Sequence, residues 1–296
     1  MTQEAPSGVV YDLGYKPHVG ELLGRRAVFF AVLKDGLRRV MGLRRRARRK
    51  VLPWLLIIIA VIPSVVGVGI SAFTADFQLE LPGVFTTYGS FPQLATIALL
   101  FTAFAAPELV IPDREQGVMS IYASRPLTTQ DYLLARAGAL GVLVLTFLML
   151  PQLVMYIGFA ATSPDGFTTY LLDHFGDMVR ALVASLVYLA TFGSAAFIVA
   201  LFAKRVAPAA SAFIAGMYGS IIVAEIITES GASLGKWFSL LALPMHPQFV
   251  RDWIFDRSGD TIPDRAGFDP WVSLLVILVL VAVTGVLILR RYRKLA

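Results

Sequence analysis

Cysteine and asparagine are both missing from the 296 residues of this chain. Without cysteine there can be no disulfide, no thiolate metal ligand and no haem attached through sulfur. Without asparagine there is no acceptor for N-linked glycosylation. Arginine far outnumbers lysine, a bias that hints at a GC-rich bacterial genome.

Charged residues are also scarce, at 16% of the chain, whereas 57% of the residues are hydrophobic. This composition excludes an ordinary soluble domain and predicts an all-α, polytopic membrane protein. Each of six apolar runs is long enough to cross a hydrocarbon core of about 30 Å at about 1.5 Å per residue. The runs are Leu52–Ala72, Leu94–Ile111, Leu140–Ala160, Ala181–Ala203, Val206–Thr228 and Trp271–Leu289, and we expect the third to start earlier, near Tyr132.

The distribution of basic residues predicts how these spans are oriented. If the six spans cross the membrane in alternating directions, 21 of the 26 Lys and Arg residues lie on the same side of the membrane. The positive-inside rule places that side, with both termini, in the cytoplasm. The first apolar run lies behind too long a basic region for a cleaved signal peptide, so we expect the N-terminal region to be retained. The predicted regions are a cytoplasmic part at 1–51, a six-helix transmembrane domain at 52–290 with a cytoplasmic loop at 113–136 and an outer loop at 229–270, and a basic cytoplasmic tail at 291–296.

Ahead of the first span, apolar residues recur at helical spacing and basic residues fill the other face, which predicts an amphipathic helix. We expect it to lie in the cytoplasmic interface, with its apolar stripe in the acyl boundary and its arginines on anionic headgroups. The competing interpretation is a basic arm for nucleic acid, which is disfavoured because phosphate binding does not require a periodic apolar face. The predicted anchor residues are Phe29, Leu33, Leu37, Arg38 and Arg39.

A polar segment, DREQGVMSIYASRPLTTQDYLLAR, joins the second and third spans at residues 113–136. Within it, Val118, Ile121 and Tyr122 fall on one helical face and predict a short amphipathic helix. Physical reasoning alone leaves two interpretations open, a docking element and a cytoplasmic loop that happens to contain one amphipathic turn.

The residues around this short helix predict how it begins and ends. Gly117 permits a sharp entry, and Pro126 disfavours the helical conformation at the preceding residue, so the turn ends there. Thr128 can then cap the next helix, with Asp131 three residues further on in a variant of the capping box.

The 113–136 segment resembles the loop between the second and third spans of ABC-2 type transporter permeases. The matching residues are Arg114, Glu115, Gly117, Ser124, Arg125, Pro126 and Tyr132. The rest of the chain is similar in layout, with an interfacial helix before the first span, six spans with both ends inside, and a long outer segment before the sixth. In that family the loop is the coupling helix, which inserts into a separate nucleotide-binding subunit, and two permeases pair to form the pathway.

The resemblance implies a permease subunit of an ATP-driven transporter, exporting or flipping a lipid, a drug or another amphipathic substrate. Its implied partners are separate ABC ATPase subunits, a second permease chain in a homo- or heterodimer, and membrane lipids, in the plasma membrane of a bacterium. ATP and Mg would be bound by the ATPase and not by this chain. The alternative is a non-transport membrane scaffold or regulatory subunit. The residues assigned to ATPase coupling are Arg114, Glu115, Gly117, Val118, Ile121, Tyr122, Ser124, Arg125 and Pro126.

The sequence predicts no catalytic or metal site. It contains no GxxxxGK[ST] phosphate-binding loop and no HExxH pair, and we expect no Asp within a span to build an aspartyl dyad. Two ionisable residues do lie in the runs, where burying a charge is costly. We expect Glu108 to pair with Arg114 or with the N-terminal arginines, whereas Glu225 has either a pathway role or an ion pair near the outer end of its span.

Before the sixth span, residues 231–257 contain an apolar stretch that is too short to cross and is broken by Pro244 and Pro247. Such a segment is predicted to be re-entrant or interfacial. The family resemblance favours a lid over the outer end of the pathway, and an ordinary loop anchored by aromatic residues is the alternative.

Overall fold

The computed structural model describes residues 24–43, 48–74, 88, 92–117, 127–230, 234–257 and 259–292, and all regular secondary structure in them is helical. The helices are α1 (Arg25–Val40), α2 (Arg48–Thr74), α3 (Pro92–Glu115), α4 (Thr129–Thr162), α5 (Phe167–Asp173), α6 (Phe175–Phe202), α7 (Val206–Glu229), α8 (Gly235–Phe238), α9 (Met245–Ile254), α10 (Ile262–Arg265) and α11 (Pro270–Tyr292), with a 3₁₀ turn at Ser239–Leu241.

Six of these helices, α2, α3, α4, α6, α7 and α11, are long and apolar enough to cross a membrane, which confirms the six predicted apolar spans. Their ends differ from the predicted ones at the 113–136 segment. Helix α3 continues to Glu115 instead of ending at Ile111, and α4 begins at Thr129. Both ends of the predicted loop are therefore helical. The expectation that no Asp lies within a span was wrong, because Asp113 is part of α3 and is fully buried.

Helix α3 lies at the centre of the described bundle, packed against α4, α6 and α7. Small residues allow neighbouring helices to approach it closely, as is usual between helices in membranes. Phe101 of α3 stacks on Phe147 of α4, with ring centroids 4.5 Å apart. Helices α2, α7 and α11 expose much of their apolar surface, as expected of helices that face lipid. The small buried residues of α3 include Ala98, Ala103, Ala105 and Ala106.

Helix α1 packs directly on α3 and α4 through Val32, Gly36 and Val40, which are buried. Gly36 makes this approach possible. A Cβ atom at this position would lie 2.9 Å from Leu109 Cδ2 and 3.0 Å from the Cβ of Ala139. Part of the apolar stripe that we assigned to the acyl boundary is therefore a protein contact. The stripe can pack against α3 and α4 because Gly36 has no side chain that would collide with Leu109 or Ala139.

The predicted anchor residues of α1 are divided between two environments. Phe29, Leu33 and Leu37 are half-buried and pack against the core of the bundle. Arg38 is also half-buried, whereas Arg39 points inward to an ion pair instead of toward headgroups. The membrane-anchoring role of these residues stays a prediction.

The segment between α7 and α11 folds back on the bundle, with α9 packed against α6 and α11. His246 of α9 is buried and hydrogen-bonds Ser273 Oγ at 2.8 Å and the carbonyl oxygen of Leu240 at 2.9 Å. Burial lowers the pKa of His246 below its usual value of 6.5, so the neutral imidazole is favoured here. The other side of this segment exposes Trp237 and Trp253. The packing of α9 agrees with a re-entrant segment, and the exposed tryptophans agree with a loop anchored by aromatic residues. Both alternatives therefore stay open.

A charged pair of α9 faces the middle of α6. Arg251 and Asp252 are buried, and the Arg251 guanidinium donates a hydrogen bond to the Asp252 carboxylate. Both residues interact electrostatically with Tyr188. Tyr188 is at the midpoint of α6. Gly259 passes close to the pair, and a Cβ at that position would lie 2.7 Å from Asp252 Oδ2. This buried polar contact was not predicted from the sequence.

Candidate functional site

The two described ends of the 113–136 segment are held by an ion-pair network on one end of the bundle. At its centre is the carboxylate of Asp113, whose side chain is 0% exposed. Arg39 of α1 donates to Asp113 Oδ1 at 2.6 Å. Arg136 of α4 donates to Oδ2 at 2.6 Å, and the Tyr132 hydroxyl donates to the same oxygen at 2.7 Å. One carboxylate therefore joins three helices, α1, α3 and α4.

Asp35 of α1 completes the network at its solvent edge. Its carboxylate is 51% exposed and accepts from Arg39 at 3.0 Å and from Arg136 at 3.1 Å. The Arg136 side chain is fully buried and also donates to the carbonyl oxygen of Val32 at 3.3 Å. Two buried or nearly buried arginines are thus matched by two carboxylates, which offsets the large cost of desolvating the charges. We call Asp35, Arg39, Asp113, Tyr132 and Arg136 the ion-pair frame.

A second contact fixes the start of α4. Thr128 accepts from the backbone N–H of Asp131, and the Asp131 carboxylate accepts from the Thr128 backbone N–H at 2.9 Å, which confirms the predicted capping box. The same carboxylate receives two hydrogen bonds of 2.8 Å from the guanidinium of Arg25. The beginning of α1 is therefore joined to the beginning of α4.

A third contact fixes the end of α3. The Arg114 guanidinium donates to the carbonyl oxygens of Ala200 at 2.5 Å, Leu201 at 2.6 Å and Ala203 at 2.8 Å. These carbonyls belong to the C-terminal end of α6, where they have no partner within their own helix and where the helix dipole favours a positive charge. Arg114, which we predicted to contact an ATPase, thus joins α3 to α6.

The described part of the segment ends in a tight turn after α3. Gly117 has a φ of 63°, the left-handed conformation that glycine adopts at helix ends, which agrees with the sharp turn predicted there. Glu115 is exposed beside it. The other predicted coupling residues, Val118, Ile121, Tyr122, Ser124, Arg125 and Pro126, lie outside the described residues.

The two glutamates that we singled out lie at opposite ends of the bundle. Glu108 is half-buried in α3. Its predicted pairing with Arg114 or the N-terminal arginines stays a prediction. The Arg114 guanidinium donates hydrogen bonds to carbonyl oxygens at the end of α6. Glu225 is 2.5 Å from Arg265, which also lies 3.4 Å from Glu229. The geometry thus supports the ion-pair alternative for Glu225.

Sequence reasoning missed the central role of Asp113 and Arg136, although a signal was present. We expected the third span to begin near Tyr132, and this already placed Arg136 inside a membrane-length helix. An ionisable residue within such a helix calls for a buried partner. Asp113, two residues after the second apolar run, was a carboxylate at the end of the preceding span that could have been considered as this partner.

Neither protein-family models nor curated proteins gave a match when compared with this sequence. The resemblance to ABC-2 permeases therefore depends on the motif and the layout of the chain.

Proposed function

We propose that this protein is the membrane-spanning permease subunit of an ATP-driven ABC-2 type transporter, which exports or flips an amphipathic substrate. The 113–136 segment would dock on a separate ATPase subunit, and a second permease chain would complete the pathway. The cytoplasmic position of this segment and of both termini belongs to the same proposal, as does a bacterial plasma membrane.

One observation supports the proposal most directly, the way in which the ends of the 113–136 segment are fixed. The ion-pair frame joins the end of α3 and the start of α4, which form the two ends of the segment, to each other and to α1. Arg114 joins the end of α3 to α6. A segment that transmits force needs stiff attachments, and buried charge-assisted hydrogen bonds are stiffer than the contacts of a solvated loop.

The proposed mechanism follows from these attachments. Closure of an ATP-bound ATPase dimer would push on the segment between its two ends. Because α1, α3 and α4 share Asp113, they would move together, and Arg114 would carry the movement to α6. ATP binding would in this way change the packing of the transmembrane helices around a pathway for the substrate.

The test places a charge on the apolar face of the segment. Ile121→Glu or Tyr122→Asp should abolish association with the ATPase, or the stimulation of its activity, because burying an unpaired charge in a contact costs several kcal/mol. Membrane insertion should be unchanged. The measurements are co-purification of an ATPase chain identified by its own phosphate-binding loop, and ATP hydrolysis in the same membranes.

A matched control is Gln130→Glu, which adds the same charge to an exposed position of the same segment. It should leave association and hydrolysis unchanged. Glu115→Ala and Arg125→Ala should act more mildly, since each removes a single polar contact worth about 0.5–3 kcal/mol. If the Ile121 and Tyr122 variants still couple hydrolysis to transport, the segment is only a loop. If no ATPase accompanies the native chain, the alternative of a scaffold or regulatory subunit is supported.

A further inference from the structure

Two adjoining cavities, both wide open to their surroundings, lie beside the turn between α6 and α7, at the same end of the bundle as the ion-pair frame. The larger has a volume of about 550 Å³ and combines an apolar wall with the two basic residues of the turn, Lys204 and Arg205. The apolar wall includes Ile198 and Phe202 of α6 and Ala212 of α7. The cavity is therefore amphipathic, with its charged residues at one end and apolar residues along the two helices.

The smaller cavity, of about 400 Å³, extends the basic end. It shares Lys204 and Arg205 with the larger cavity and adds Arg114, Glu115 and Arg291. Four cationic side chains and one carboxylate thus surround this end. The donors of Arg114 are already engaged by the carbonyls of α6, so Arg114 contributes its charge more than its hydrogen bonds.

The two basic residues of the turn have free hydrogen-bonding capacity. Within the part of the chain that the structure describes, neither Lys204 nor Arg205 forms an ion pair or a side-chain hydrogen bond, and both are exposed. Arg205 is also the N-cap of α7, where the first amides of a 24-residue helix point outward and favour an anion. An anionic group at this turn would meet two charged donors and a helix N-terminus.

We propose that this pocket binds an anionic phospholipid, with the phosphate at Lys204 and Arg205 and an acyl chain along the apolar wall. Basic pockets between transmembrane helices at the headgroup level recognise anionic lipids in this way. The apolar wall distinguishes a lipid from a soluble anion, since Phe202 is 59% exposed and lies beside the charges. Arg291 lies over the Phe202 ring, 5.2 Å from its centroid, and brings a further positive charge to this edge.

This site is independent of the proposed transport function, because it requires only that this end of the bundle lie at a membrane surface. It is tested on the purified full-length chain in detergent, with phosphatidylglycerol and phosphatidylcholine that have the same acyl chains. Native mass spectrometry then measures the occupancy of each lipid. The chain should retain phosphatidylglycerol in preference to phosphatidylcholine, and millimolar inorganic phosphate should not displace it.

The decisive variant is Lys204→Ser combined with Arg205→Ser. Each basic residue near an anionic surface contributes roughly a fivefold change in affinity, so phosphatidylglycerol binding should fall about 30-fold. The matched control is Arg180→Ser with Lys236→Ser, which removes the same charge from exposed positions at the opposite end of the bundle. Binding should then change less than about twofold.

A second pair of variants tests the acyl-chain part of the site. Ala212→Trp fills the cavity and should reduce lipid retention, whereas Val223→Trp, which lies on the exposed surface of α7 outside the cavity, should not. Equal retention of both lipids would overturn the proposal, as would unchanged binding in the Lys204 and Arg205 variant. Displacement by phosphate with no effect of Ala212→Trp would identify a soluble-anion site instead. Equal losses in the two charge variants would mean nonspecific attraction and would also overturn it.

Discussion

Replacing Asp113 by alanine should destabilise the protein by about 3–5 kcal/mol, the usual cost of leaving a buried charge without its partner. Asp113 accepts hydrogen bonds of 2.6 to 2.7 Å from Arg39, Tyr132 and Arg136. The side chain of Arg136 is 0% exposed, so its guanidinium has no contact with solvent in the native fold. Two other contacts of Arg136, to Asp35 at 3.1 Å and to a carbonyl at 3.3 Å, are longer than the lost one.

Two variants make this prediction specific to the buried charge. Asp35→Ala removes a carboxylate of the same network that is 51% exposed and lies farther from both arginines, at 3.0 and 3.1 Å, so its loss should cost less than the loss of Asp113. Asp113→Leu combined with Arg136→Met removes both buried charges, and this double variant should recover most of the stability, because apolar replacement of a buried ion pair is often neutral or better.

The assay is the free energy of unfolding in mixed detergent micelles, measured by the loss of helical circular dichroism. Native gel filtration of each variant before the titration checks that it starts from the same folded state. A dominant role of the buried Asp113 charge is refuted if Asp113→Ala and Asp35→Ala lose the same free energy of unfolding. It is also refuted if the double variant is no more stable than Asp113→Ala.

Three further predictions concern α1, α9 and the orientation of the chain. Gly36→Val should cost about 1–3 kcal/mol by forcing α1 away from its neighbours, whereas Gly24→Ala, where a Cβ meets nothing within 4 Å, should be neutral in the same unfolding assay. Because the folded-state pKa of His246 is lowered, its contribution to stability is complete above the usual pKa of 6.5 and is lost as the pH falls through the lowered value. His246→Gln should remove that part of the pH dependence. In intact cells, a cysteine at Asp260 should react with an impermeant thiol reagent and one at Gln130 should not, and the natural absence of cysteine gives no background. The reverse pattern would contradict the predicted orientation.

The sequence by itself determined the helical class, the number of membrane-length helices and the capping box at Thr128. These features depend on local properties, the length of apolar runs and the spacing of a few polar residues, so no distant contact is needed to predict them. The turn at Gly117 is predictable for the same reason, since only glycine adopts its left-handed backbone without strain.

Only the tertiary structure decided where the polar residues near the helix ends would go. From the sequence, Asp113 and Arg114 were loop residues and Arg39 faced lipid headgroups. In the fold, Asp113 binds Arg39 and Arg136, and Arg114 binds the end of α6. A hydrophobicity pattern cannot predict this, because an ionised side chain can continue a helix wherever a partner from another helix offsets its desolvation. Which partner comes within hydrogen-bonding distance depends on how α1, α3, α4 and α6 pack together, and that is a property of the whole fold.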